Sequence, residues 1–316
     1  MRVVLGLGLL AVALLSAWWA LAAHLTPREA NARLNANPAL TGEMGRIHGF
    51  PLRFETEIRG LTWQSARGGL GWQADPLRLE ASSLTPWQLR AQFPPEQVVE
   101  LNGQPLPLHS RAMEGTITLS RGITLAAADL SLSGARLATV PGEVTLDTLS
   151  ADLRQIDGPH HALDLDAKAL ALPRSLLDLI DPEQHLPATL DRLKASARLG
   201  FDAPIDPRRP ASRLEEVHIE GLQADWGPLS IGLSGEVSRD AQGLLDGGLQ
   251  LLLSDWQVLH RMLVATGLLA PDMAMMAGMV LASQAAPGTS EVTLTLTLAR
   301  SMVSIGPLPL AQLPPL

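Results

Sequence analysis

Residues 292–298 read VTLTLTL, in which aliphatic side chains alternate with threonines. Successive side chains of a β-strand point to opposite faces of the sheet, so this alternation predicts a strand with one apolar and one polar face. The same period of two occurs at residues 52–58, 77–81, 163–169 and 229–237. Because strands buried on both faces would be continuously apolar, the pattern predicts an antiparallel sheet.

Glycine-containing turn signals such as Asp246-Gly247 separate these segments and predict a meander of short strands. Two stretches interrupt the period of two with helical patterns, a short one at residues 173–180 and a longer one at residues 255–267. A further helix is predicted to begin at Pro271. The sequence therefore predicts a mainly β fold with a few helices (α+β), in which a long antiparallel sheet curls over the short helices.

The sequence contains signals for both ends of the helix predicted at residues 255–267. Ser254 and Gln257 have the spacing of a capping box, in which two side chains satisfy the free amides of the first helical turn. Gly267 is suited to the position after the last helical residue. These signals predict a helix that begins directly after Ser254.

An uncharged apolar segment at residues 3–23 precedes the strands. About 20 apolar residues span the hydrocarbon layer as a helix. Trp18 and Trp19 lie near the far end of the segment, where indole rings prefer the membrane interface. A cleaved signal peptide is the alternative, because residues 20–22 (ALA) have the small-x-small form of a cleavage site. The length of the segment and its two bulky tryptophans favour an uncleaved anchor.

We therefore predict three segments: a transmembrane anchor or signal peptide at residues 1–24, a helical collar and linker at 25–48, and a β-rich periplasmic domain at 49–316. Only one arginine precedes the apolar segment and two follow it closely, so the positive-inside count does not favour export. Long downstream domains translocate largely regardless of such charges. We place the body in the periplasm on a single inner-membrane span, or free in the periplasm if the leader is cleaved.

Composition excludes several classes of function. The net charge is −8 and no basic run is present, which argues against a nucleic-acid partner. The absence of cysteine excludes disulfides, thiolate metal sites and thiol catalysis. Charged residues make up only 18% of the chain, below the usual quarter. This shortfall indicates either more apolar surface than one soluble core needs or a codon bias toward Ala, Leu and Arg.

No pattern of catalytic or metal-binding residues is recognisable. The eight histidines include no H-E-x-x-H pair, and adjacent His160 and His161 would point to opposite sides of a strand. The sequence has neither a G-x-S-x-G elbow nor a phosphate-binding P-loop. We therefore predict no catalytic, cofactor or metal site and no enzymatic activity. An envelope enzyme would need titratable residues that converge in a cleft.

Tryptophans and methionines supply the candidate ligand-binding residues. Three tryptophans cluster within residues 63–87, as a local core or as an apolar mouth facing the membrane. Trp256, Leu259 and Leu263 share one helical face. The helix from Pro271 carries four methionines, which suit either an adaptable groove or ordinary packing on the sheet. The candidate groove residues are Trp63, Trp72, Trp87, Trp256, Leu259, Leu263, Met273, Met276 and Met279.

Several segments carry a family resemblance, namely residues 49–54 (GFPLRF), 72–82 (WQADPLRLEAS), 86–96 (PWQLRAQFPPE), 112–116 (AMEGT) and 303–315 (VSIGPLPLAQLPP). Together they resemble domain-of-unknown-function family 2125, an uncharacterised family of Gram-negative envelope proteins. The resemblance implies a short membrane anchor and a periplasmic body, and it names no catalytic residue.

A second resemblance is carried by the alternating strands and by residues 243–263 (GLLDGGLQLLLSDWQVLHRML). This pattern is similar to AsmA-like proteins, anchored envelope proteins whose curled sheets form apolar grooves linked to lipid transport or outer-membrane homeostasis. AsmA-like chains are often far longer. The resemblance implies an apolar groove in the sheet.

Together these features predict a membrane-anchored envelope protein that binds or handles lipid or another apolar ligand in a groove of a curled β-sheet. The alternative is a non-enzymatic scaffold or interaction module for envelope assembly, whose apolar face is buried in its own core. The predicted partners are the membrane, lipid and another envelope protein. A filled interior with an exposed apolar patch outside would favour the scaffold.

Overall fold

The computed structural model describes residues 39–49, 52–65, 69–140, 142–206, 212–266, 271–285, 290–305 and 308–313. The chain forms two compact units. The first comprises Met1–Thr139, Thr148–Pro159 and Ala203–Ser212, and the second comprises Val140–Asp147, His160–Asp202 and Arg213–Leu316.

The described residues of the first unit form nine strands: β1 (Leu40–Met44), β2 (Arg53–Gln64), β3 (Leu70–Ala74), β4 (Leu77–Ser82), β5 (Thr85–Gln92), β6 (Glu96–Leu101), β7 (Gln104–His109), β8 (Ala112–Leu119) and β9 (Leu125–Ala138). Strand β10 (Glu143–Asp157) lies partly in each unit.

The second unit contains the strands β11 (His160–Ala171), β12 (Thr189–Phe201), β13 (Leu214–Trp226), β14 (Leu229–Arg239), β15 (Leu245–Ser254), β16 (Val292–Ala299), β17 (Met302–Ile305) and β18 (Leu308–Gln312). It also contains the helices α1 (Arg174–Ile180), α2 (Trp256–Ala265) and α3 (Pro271–Gln284).

Strand β2 closes the sheet of the first unit. Its first half pairs with β4 and its second half with β3. From β4 the antiparallel pairings continue through β5, β8, β9, β7 and β6 back to β3. The inward positions of β2 change phase between Ile58 and Leu61, where the strand passes from one partner to the other.

The interior of this closed circuit is filled with side chains. Its buried cluster consists of Leu40, Met44, Ile58, Leu61, Trp63, Trp72, Ala74, Leu77, Leu79, Ala81, Leu89, Ala91, Phe93, Met113, Ile117, Leu119 and Leu125. Burial of this apolar surface stabilises the unit at roughly 25 cal/mol per Å². The alternate positions of the same strands carry charged residues on the opposite face.

The second unit is a meander, because each strand from β11 to β18 pairs with the next in antiparallel register. The register aligns apolar positions into rows that cross the strands. One row is Leu165, Ala195, Leu222, Leu233, Leu251 and Leu294. The neighbouring row is Leu163, Ala197, Ile219, Gly235, Leu249 and Leu296.

The helices pack beside these rows, over one end of strands β14, β15 and β16. Trp256 of α2 is buried with Leu253 and Val292, and Val258 is buried with Leu229. The imidazole Nε2 of His260 in α2 donates a hydrogen bond of 2.9 Å to a backbone carbonyl of α3. The helices thus cover the strand ends and complete two small cores there.

The predicted fold class is confirmed in outline, since the protein is mainly β, antiparallel and has few helices. The five predicted strands and the three predicted helices are present. Within the predicted linker, residues 40–44 form strand β1, which pairs with β2. No helix of the described residues is long and apolar enough to cross a bilayer. The predicted anchor at residues 3–23 and the helical part of the collar lie outside the described residues.

The predicted start of α2 is wrong by one residue. Asp255 is the residue before the helix, in a left-handed conformation at φ 49°, and no side chain caps the first turn. Ser254 instead accepts a hydrogen bond from the amide of Ser230 across the sheet, at 2.9 Å. The Asp255 carboxylate accepts one from the Ser290 hydroxyl at 2.7 Å. Tertiary contacts therefore use the Ser254 hydroxyl, which the predicted capping box assigned to the helix, and the carboxylate of Asp255, the residue before the helix.

Gly235 and Gly247 mark a close approach of β14 and β15. They flank the Glu236–Gly248 pair and have φ of 135° and 156°, which disfavours other residues. A Cβ on Gly247 would lie well under 3.0 Å from the carbonyl oxygen of Glu236, and a Cβ on Gly235 would lie as close to that of Gly248. Backbone atoms on both strands leave no room for a side chain.

Replacing Gly247 with alanine is expected to lower the free energy of unfolding by about 2 kcal/mol or more, because strain and a backbone clash add together. The matched control is Gly248→Ala, where a Cβ meets nothing within 4 Å, and its cost should stay within about 1 kcal/mol. Chemical denaturation of the full chain measures both. Equal losses in the two variants would contradict the close approach.

Asp181 closes the carboxyl end of α1 and is only 2% exposed. Its Oδ2 accepts a hydrogen bond of 2.7 Å from the Leu186 amide, and its Oδ1 lies 3.3 Å from Nδ1 of His185. Burial acts to raise the pKa of Asp181, but hydrogen bonds from the Leu186 and His185 amides and the His185 ring lower it overall. The carboxylate form therefore stabilises the fold.

We expect Asp181→Asn to cost about 1–3 kcal/mol at neutral pH, since charged hydrogen bonds to a buried group are lost. Because the pKa is lower in the folded protein, this stabilisation is present above the ordinary value of 3.8 and is lost as the pH falls through the lowered pKa. Urea unfolding of wild type and variant at pH 7 and pH 3 measures the difference. The exposed Asp178→Asn change on α1 is the control, and an equal effect there would argue against this role.

Candidate functional site

The apolar rows of the second unit are only partly buried. The residues concerned, here called the apolar face, are Leu163, Leu165, Ala195, Ala197, Ile219, Leu222, Leu233, Leu249, Leu251 and Leu296. Leu251 packs against the small core under the helices, and the others belong to none of the buried clusters of the described residues. Aliphatic surface therefore stays in contact with solvent along the middle of the sheet.

On β12 the apolar face carries the small side chains of Ala195 and Ala197, an arrangement that would form the floor of a shallow groove. The larger side chains of β11 rise on one side, with Leu165 opposite Ala195, and those of β13 rise on the other, with Leu222 opposite the same alanine. Because side chains on one sheet face stand nearly perpendicular to it, neighbouring leucines extend beyond the alanines and form walls.

The chemistry of the apolar face suits flexible hydrocarbon. Its side chains are all aliphatic, so they offer dispersion contacts but no hydrogen-bond donor or acceptor. The rows cross β11 to β16, a distance of about 24 Å at the usual spacing of neighbouring strands. One leaflet of a bilayer has hydrocarbon about 15 Å deep, half of the roughly 30 Å core. A lipid chain therefore fits within the length of the face.

Trp63 and Trp72, predicted as groove residues, lie opposite each other on β2 and β3 in the filled interior of the first unit. The indole Nε1 of Trp72 donates to Oε1 of Gln97 at 2.8 Å, and its ring meets Phe93 edge to face at 5.7 Å. Gln97 in turn donates to a backbone carbonyl. Both tryptophans therefore belong to the core, and the one polar atom of the Trp72 side chain is hydrogen-bonded there. Trp87 does not join them and is 51% exposed on β5.

The candidate residues of the second unit border the apolar face only in part. Trp256 and Leu259 pack in the core under the helices, and Leu263 is partly exposed on α2. Met276 and Met279 are 52% and 60% exposed on α3. The Met273 side chain lies outside the described part of the structure. The structure brings Trp256 and Leu259 together, and it places the methionines on the outside of their helix.

Sequence reasoning predicted an apolar groove in the sheet, but it named none of the aliphatic row residues as its lining. The alternation that marks the apolar positions is visible in each strand. That Ala195 and Ala197 lie between larger side chains depends on which strands pair and on their register. A local sequence pattern predicts neither the strand pairing nor the register. Large aromatic residues drew attention because they dominate most binding surfaces.

Titratable side chains do not assemble into a metal site in the part of the chain that the structure describes. His160 is exposed and His161 is fully buried, where its ring meets Phe201 edge to face at 5.6 Å. The two adjacent histidines therefore point to opposite faces of β11, as the strand geometry predicts.

Comparison with known proteins assigns the chain to a family without a described activity. No curated protein and no solved structure matches it. The family model described as "Uncharacterized protein conserved in bacteria" matches residues 19–314, nearly the whole chain. The protein therefore belongs to domain-of-unknown-function family 2125.

Proposed function

We propose that the protein is a membrane-anchored envelope protein that binds the acyl chain of a lipid along the apolar face. The observation that carries this proposal is the partial exposure of aligned aliphatic side chains around the groove floor at Ala195 and Ala197. The absence of polar groups on this face argues for a ligand held by its hydrocarbon part.

The free energy of binding would come from the apolar area that the ligand covers. Apolar surface that stays exposed forgoes about 25 cal/mol per Å² relative to burial. A hydrocarbon chain laid along a row, over the low point at Ala195 and Ala197, would remove both its own surface and that of the row's leucines from water. Because these residues belong to paired strands, the face is formed before a ligand binds and little ordering would be needed on binding.

Sequence features support an envelope location for this activity. The uncharged segment at residues 3–23 is long enough to anchor the chain in the inner membrane as a single pass, with the body in the periplasm. A cleaved leader would free the same body in the periplasm. The AsmA-like similarity of residues 243–263 also supports lipid handling.

A scaffold for envelope assembly is the second candidate, and the exposed methionines favour it. Met275, Met276 and Met279 are 72%, 52% and 60% exposed on α3. Met279 follows Met275 by four residues and Met276 by three, so its side chain lies near both of them on the helix surface. Flexible thioethers adapt to varied apolar partners, so this patch suits a protein partner better than a fixed ligand.

Filling the groove floor tests the lipid proposal. We expect Ala195→Trp to lower labelling of the full chain by a phospholipid with a photoreactive acyl chain by about tenfold, or about 1.4 kcal/mol. The indole keeps the face apolar but takes the space of the chain. Labelled peptides from the wild type should map to strands β11 to β16.

The matched control is Lys194→Trp, which adds the same ring to the exposed face of the same strand. It should leave labelling unchanged. Equal loss in both variants, or labels confined to residues 1–24, would overturn the acyl-chain proposal. Wild-type protein that takes no label on the apolar face, together with partner capture lost on Met276→Gln, would favour the scaffold.

Membrane fractionation tests the anchor separately. The full chain is expected to stay with the membrane after carbonate extraction, because an apolar helix of about 20 residues inserts essentially irreversibly. A chain starting at residue 25 behind a cleavable export signal should be extracted. Release of the full-length chain by carbonate would argue against an anchor, and a mature chain that begins after residue 22 would establish cleavage.

A further inference from the structure

A cleft of about 550 Å³ lies on the charged face of the first unit's sheet. It is lined by Gly45, Arg46, His48, Glu55, Thr56, Glu57, Arg59, Arg78, Leu79, Glu80, Arg90 and Gln92. Cavities of about 300–1,000 Å³ are typical of small-molecule sites. The lining is strongly polar, unlike the apolar face of the second unit.

The carboxylates of the cleft are already paired. Glu55 and Glu80 each lie 3.6 Å from the guanidinium of Arg53. The Nε of Arg78 donates to Oε1 of Glu57 at 3.1 Å. The register explains these pairs, because Glu55 is opposite Glu80, and Glu57 is opposite Arg78 across β2 and β4. Two arginines therefore contact all three glutamates and leave one unit of negative charge uncompensated.

Three further arginines of the cleft have no carboxylate within ion-pair distance among the described residues. Arg46 follows β1, Arg59 lies in β2 and Arg90 lies in β5, so three separate segments bring them to one cleft. All three are exposed. Exposed His48 adds a further nitrogen-bearing ring. On a chain of net charge −8, this cleft is a local concentration of unpaired positive charge.

We propose that the cleft binds a phosphate-bearing ligand. The guanidinium fork matches phosphate oxygens with two parallel hydrogen bonds, and several arginines around one site favour a dianion over a single carboxylate. The volume exceeds that of a phosphate ion and leaves space for the organic group attached to it. The phosphate could come from a lipid headgroup or from a free phosphate ester, and both present the same chemistry to the arginines.

The site rests on residues other than those of the apolar face, so it stands independently of the acyl-chain proposal. The opposing view is that these arginines form the solvated side of a sheet and bind nothing. That view predicts equal behaviour of arginines inside and outside the cleft. A comparison of matched arginine variants therefore decides between the two.

Calorimetric titration of the full chain in non-ionic detergent tests the site with inorganic phosphate, glycerol 3-phosphate and dihexanoyl phosphatidic acid. The variant Arg46→Gln/Arg90→Gln should weaken binding of at least one probe by about tenfold or more. The control Arg121→Gln/Arg136→Gln removes the same charge from exposed positions that do not line the cleft. It should change the affinity less than twofold, roughly the effect of long-range charge in screening salt.

The probes distinguish the sources of the phosphate. Binding of glycerol 3-phosphate that is lost in the cleft variant supports a free phosphate ester. Binding confined to phosphatidic acid and lost in the same variant supports a lipid headgroup. The proposal is overturned if no probe binds the wild type, or if the control loses as much affinity as the cleft variant. Acyl-chain labelling of the apolar face should be the same in wild type and cleft variant.

Discussion

The structure depends on one constraint: most of the described strands are apolar on one side and polar on the other, and burial of the apolar side stabilises the fold. The first unit meets it by pairing its strands into a closed circuit around an interior that includes Ile58, Leu77 and Leu89. The second unit is an open meander, and its helices cover only the strand ends near Leu253 and Val292. The same local pattern therefore produces a filled core in one unit and a partly exposed aliphatic face in the other.

Local periodicity predicts much of this fold, because the side-chain period of two is a property of a single strand. It identified the strands around residues 77–81, 163–169 and 292–298, and the three helices. Pairing is not local. Strand β2 changes partner from β4 to β3 along its length, and β5 pairs with β8 across intervening strands. Ser254 shows where a local rule fails. The capping rule assigned its hydroxyl to the first turn of α2, but this hydroxyl accepts a hydrogen bond from the amide of Ser230 on the neighbouring strand.

The candidate sites were harder to predict than the fold, for related physical reasons. Tryptophan has a large apolar surface, so a sequence with few aromatics draws attention to Trp63 and Trp72. The same large apolar surface favours their burial in a core. There Oε1 of Gln97 accepts a hydrogen bond from the indole Nε1 of Trp72, the one polar atom of that side chain. A groove in a sheet needs small residues between large ones on neighbouring strands. Only the register reveals that Ala195 lies between Leu165 and Leu222.

The apolar face and the arginine cleft would also differ in what each contributes to the recognition proposed above. Aliphatic contact supplies binding free energy in proportion to area and discriminates poorly between hydrocarbon chains, since one methylene changes little. Arginines around an anion would supply specificity, because a ligand that lacks the phosphate would leave their charge uncompensated. Both surfaces lie on paired strands, so each is formed before any ligand binds, and little ordering would be needed at either one.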